Sequence, residues 1–153
     1  MQPAFPPIEQ LLPHADGMLL LERVLSHDAR ETRCATSGAR SALFVSPDGS
    51  VPSWLGIEYM AQCAAVHRGL AERDRGERPR PGLLLGSRRL ALRCEAFARD
   101  DALEVIARHH RGELGLVAFD CAVRSAASGE TLVEGRVNLY LFRDWGAIGE
   151  ARG

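Results

Sequence analysis

Along most of this chain the apolar positions recur at the short period of strands, but one interval breaks that habit. From residue 54 to 66 the run WLGIEYMAQCAAV places apolar side chains on nearly every side of a helix rather than on one stripe. Such a helix has to be surrounded by protein. It is expected to run from about Trp54 into AERDRGERPRPG, where Gly76 and two prolines end it, with Ser53 as its N-cap. After it come GLLLGSRRLALRC, ALEVIARHH, LGLVAFDCAVRSA and TLVEGRVNLYLF, strand-length runs separated by the turn formers ARDD, RGEL and ASGE. In the last run Val137, Leu139 and Leu141 alternate with Asn138, Tyr140 and Phe142, as on a half-covered sheet.

Ahead of the helix the signals are shorter. FPPIEQLLPH offers an amphipathic turn on Ile8, Leu11 and Leu12, stopped by Pro13. GMLLLERVLSHD reads as a strand, ETRCATSGA as a weaker and partly exposed one, and SPDGSVPS as a loop. One long helix with about four long antiparallel strands after it and one or two before it predicts an α+β fold, a sheet wrapped round a single helix. Ala61, Ala64 and Ala65 would let that sheet approach closely. A single domain over residues 1–145 and a frayed tail over 146–153 follow.

Composition narrows the function classes. With 153 residues, 46% apolar and 25% charged, the chain has the make-up of an ordinary globular domain able to bury a core. A net charge of −1 gives no reason to expect a nucleic-acid or membrane surface. Cys34, Cys63, Cys94 and Cys121 are widely spaced without a CxxC pair, which predicts reduced core thiols and no bound metal. A cytoplasmic location is expected.

The candidate chemistry lies in the helix. Glu58 shares a face with Trp54, Ala61, Gln62 and Ala65, and only Gln62 among them can hydrogen-bond a carboxylate. A carboxyl desolvated there would gain the raised pKa that suits a general acid. The alternative is a carboxylate at the mouth of the groove, or one paired with Arg88, Arg89 or Arg93.

LLPHADGMLLLERV followed by VPSWLGIEYMAQ resembles the hotdog-fold 3-hydroxyacyl-acyl-carrier-protein dehydratases, and EYMAQ with GLLLGSRRLAL looks most like their ApeP-type members from aryl-polyene clusters. The likeness spans about residues 8 to 95. It implies a hotdog fold and an acyl carrier protein as partner. It also implies active sites at the interface of a homodimer, or of a heterodimer with another hotdog dehydratase. The substrate would ride on phosphopantetheine, with no further cofactor. In that mechanism Glu58 protonates the departing hydroxyl, Gln62 follows it in the motif, and the first helix amides around Leu55 and Gly56 polarise the thioester carbonyl, beside Trp54. Gly56 would let a ligand come close.

The family's proton-abstracting histidine sits in a GHFP loop before the helix, where this chain has FVSPDGSVPSW. His14 is the candidate base that remains, with Asp16 or Asp48 as alternatives. His67 is expected near the exposed end of the helix, His27 in a turn, and His109 and His110 on opposite faces of a strand. Arg88 and Arg89 are likewise expected on opposite faces, where one would meet the phosphopantetheine phosphate or an acidic carrier protein, unless both are solvated edge residues. A non-catalytic subunit of a dehydratase heterodimer and a thioester hydrolase are the competing readings.

Overall fold

A computed structural model of the chain describes residues 4–12, 18–77 and 82–142. Eight strands and one long helix are present among these residues: β1 Arg23–His27, β2 Glu31–Ser37, β3 Ser50–Pro52, α1 Gly56–Asp74, β4 Gly82–Leu92, β5 Ala96–Ala98, β6 Ala102–Glu113, β7 Leu116–Ser125 and β8 Thr131–Leu141. Six of them form one antiparallel sheet in the order β1-β2-β6-β7-β8-β4, and β3 pairs with β5 apart from it. The sheet curves round α1, which packs on β2, β6, β7, β8 and β4. This is the hotdog arrangement.

Alternation decides which side of each strand meets the helix. On β7, Val117, Phe119, Cys121 and Val123 are buried, while Asp120 points outward. On β8, Val133, Val137, Leu139 and Leu141 face in. From α1 the core receives Tyr59, Met60, Cys63, Ala64 and Val66, all fully buried. Leu114 and Gly115 join β6 to β7 with φ of 53° and 86°, the paired positive values of a type I′ hairpin turn. The turn therefore centres just beyond the expected RGEL.

Several expectations need correction. The strand expected over GMLLLERVLSHD starts only at Arg23, because Leu20 and Leu21 plug the core as a non-strand segment held by side chains. Thr36 donates its hydroxyl to the Leu20 carbonyl, and Arg40 Nη2 donates to the Leu21 carbonyl at 3.0 Å. β2 is an inner strand, partly exposed as expected on the face of Glu31, Arg33, Ala35 and Ser37, with Thr32, Cys34 and Thr36 covered on the other. The expected loop before the helix contains β3. Ser53 makes no side-chain cap; it opens a 3-10 turn, Ser53–Leu55, that leads directly into α1. Gly76, at φ 72°, follows the helix end as expected. The expected tail, 146–153, lies outside the described residues.

Candidate active site

The hydrogen bonds of Gln62 organise this region. Its side chain is 1% exposed and joins three neighbours. Oε1 accepts from the Leu20 N–H at 2.9 Å, and Nε2 donates to the Met18 carbonyl at 2.8 Å and to Glu58 Oε1 at 3.2 Å. One buried amide thus orients the helix carboxylate and ties it to the segment that enters β1. Both amide atoms are used, so its orientation is determined. Glu58 itself is half-buried, at the edge of the groove. Of the three arginines expected as partners, Arg93 pairs with Glu134, while Arg88 lies on the sheet face turned away from α1 and Arg89 borders a hollow of that face.

The start of the helix is tighter than the sequence suggests. Leu55 is buried and Trp54 is 54% exposed, its ring edge-on to Phe44 with centroids 6.4 Å apart. Gly56 donates its N–H back into the 3-10 turn, to the Ser53 carbonyl. A Cβ on Gly56 would stand 3.1 Å from Val133 Cγ2, so the approach this glycine permits is that of β8. Beside Glu58, the Tyr59 hydroxyl lies 2.6 Å from Ser41 Oγ and its ring stacks on Phe97 at 5.9 Å. Burial pushes the Tyr59 pKa up, which keeps the phenol protonated as a fixed strut between α1 and residues 38–44.

The description of the ApeP dehydratase family, ApeP-like, matches residues 6–148. The chain belongs to the ApeP-like dehydratase family. Among solved structures it is similar to the dehydratase heterocomplex ApeI:P from Xenorhabdus doucetiae, with TM-score 0.87 and 27% identity over 97% of this chain and 99% of that one. Zebra fish thioesterase superfamily member 2 shares the fold at TM-score 0.63 and 15% identity, over 85% of this chain and 87% of that one. A hypothetical thioesterase with coenzyme A from Streptococcus pneumoniae does so at TM-score 0.59 and 12% identity, over 78% and 84%. Among proteins of curated function, none matches the sequence.

The histidines of this ApeP-like chain are arranged in a way its sequence did not announce. His14 and Asp16 lie outside the described residues. His67, expected near an exposed helix end, is 3% exposed, and His27 ends β1 rather than forming a turn. Thr32 Oγ1 bridges them, 2.7 Å from His27 Nδ1 and 2.8 Å from His67 Nδ1. A hydroxyl has one proton to give and two lone pairs, so at least one of the two rings must donate its own Nδ1–H to Thr32. The His109 ring stacks on His67 at 6.3 Å, and Phe119 meets both edge-on at 5.5 Å. No three metal-ligating side chains among the described residues are placed so that they could hold a metal ion. Asp48 is held below the usual carboxylate range by Ser50, whose hydroxyl and N–H it accepts at 2.6 and 2.9 Å, which makes it a poor base.

Burial, with His27, His109 and Arg68 nearby, lowers the His67 pKa to about 4. The unfolded chain, with an ordinary histidine, then binds more protons between pH 6.5 and 4. This contribution is fully present above pH 6.5 and is lost as pH falls towards 4, roughly 3 kcal/mol in all. Burial lowers the His27 and His109 values too, with the same sign. Urea midpoints measured from pH 7 to pH 4 should fall steeply, and His67→Gln should flatten that dependence.

Proposed function

We propose that this chain takes part in removing water from 3-hydroxyacyl thioesters carried on the phosphopantetheine arm of an acyl carrier protein, as one half of a hotdog pair in the cytoplasm. The observation that carries the reading is the buried Gln62 amide, which binds Glu58 and the Met18–Leu20 segment together. Glu58 is the general acid. It gives its proton to the C3 hydroxyl as a base removes the C2 proton, so that water leaves and a C2–C3 double bond forms. His14 is the proposed base; it stands four residues before Met18, whose carbonyl Gln62 holds. Amides near Leu55 would face the thioester carbonyl, with Trp54 beside them.

Two features support a second hotdog chain as partner. Ile57, Glu58, Ala65 and Arg68 are only partly covered by the chain's own sheet. β4 is an edge strand with Leu83 and Leu85 more than half exposed, at 52% and 53%. A bare apolar edge of that kind invites pairing with another strand. The ApeI:P structure is a heterocomplex, which favours an unlike partner over a second copy.

The test is mass spectrometry of a 3-hydroxyacyl carrier-protein thioester incubated with this chain, alone and with a second hotdog dehydratase chain. Loss of one water with this chain alone makes it a complete enzyme. Loss only when the second chain is added makes it the supporting half. Release of free acid instead of enoyl thioester would replace dehydration with hydrolysis.

A further inference from the structure

The outer face of the sheet carries a second, differently built feature. Register places Glu31, Arg108, Asp120, Arg136 and Arg88 in one row across β2, β6, β7, β8 and β4. The first four alternate in sign, with Arg108 Nη2 2.7 Å from Glu31 and Arg136 Nε 3.0 Å from Asp120. The fifth breaks the alternation, because Arg88 stands directly opposite Arg136. Like charges so placed destabilise an antiparallel pair.

Next to that clash the β4–β8 ladder slips between Arg88 and Ala91, and Arg89 adopts a left-handed φ of 56°. Gly135 makes room for the slip, since a Cβ there would stand 3.2 Å from the Leu90 Cα. The two arginines, expected on opposite faces, are both brought to the outer side, where Arg89 borders a hollow of about 420 Å³. Its lining includes Arg89, Arg108, Arg124 and Arg136 against only Asp120 and Glu134. Both carboxylates already have cations: Asp120 has Arg136, with the His110 ring also 3.4 Å away, and Glu134 has Arg93. Neither Arg88 nor Arg89 has a carboxylate partner among the described residues.

We propose that this hollow, with Arg89 at its β4 rim and Arg88 next to it, opposite the lining residue Arg136, binds a phosphate group of a small ligand. Guanidinium forks match phosphate oxygens two at a time, and a dianion among them relieves the Arg88–Arg136 repulsion. The proposal stands apart from the reaction assigned to Glu58. The phosphate has two possible sources, a phosphopantetheine arm or a free phosphorylated metabolite.

Calorimetry on the full chain with inorganic pyrophosphate, 4′-phosphopantetheine and pantetheine tests it. Both phosphate probes should bind and pantetheine should not. Arg88→Gln combined with Arg89→Gly should weaken binding at least tenfold. Arg89→Gly alone should leave Tm unchanged or raised, because glycine adopts this backbone freely, and that separates lost binding from lost folding. Phosphopantetheine binding tenfold tighter than pyrophosphate identifies the arm as the source; equal or weaker binding identifies a free metabolite. No binding of either phosphate probe, or equal binding by the double variant, overturns the proposal.

Discussion

Glutamine in place of Glu58 is expected to lower the dehydration rate by about 10²–10⁴-fold, the range that a positioned general acid supplies. The substitution keeps the size and shape of the side chain. It leaves the Gln62 Nε2 donor an oxygen to meet, as it now meets Glu58 Oε1 at 3.2 Å. Thermal stability should therefore change little. The measurement is single-turnover conversion of a 3-hydroxyacyl carrier-protein thioester, run on the assembly that proves active, with melting temperature as the folding control. A variant that turns over at the parental rate would remove Glu58 from the mechanism, and the acid would have to come from the partner chain.

The largest loss of stability is expected from Gln62→Leu. The leucine would fill most of the same space while leaving the buried Leu20 N–H and the Met18 carbonyl without the partners they have at 2.9 and 2.8 Å. The buried Leu20 N–H costs about 1–3 kcal/mol when orphaned. The Met18 carbonyl, in an exposed residue that water can reach, costs less, so a loss of roughly 2–4 kcal/mol is expected in urea unfolding. Where the variant remains folded, its dehydration rate should fall as well, since Glu58 loses the donor that orients it. A loss under 1 kcal/mol would mean that water or a neighbouring side chain takes over those bonds.

Gln62→Leu also marks how far the site could be read in advance. Helical spacing alone put Gln62 one turn from Glu58, and the 3.2 Å contact bears that out. Nothing local in GMLLLE signalled that its backbone would be satisfied by a side chain on the helix, 42 and 44 positions away. A run of apolar residues is consistent with a strand, and the ladder, not the propensity, decides where the strand begins. The histidines show the same limit. His27, Thr32 and His67 are brought into hydrogen-bonding order only because β1, β2 and α1 pack together.

The sequence by itself determined the single all-round apolar helix, the period-two strands after it, and the motif that joins a carboxylate to a glutamine. These follow from the spacing of side chains on one element, and the fold class follows from their order. Only the tertiary structure decided the rest. It placed Gly56 against Val133, buried His67, and swung Arg89 to the outer face through a slipped ladder. Those outcomes depend on which strands lie side by side and in what register. Register is fixed by contacts between residues far apart in the chain, and no local pattern carries it.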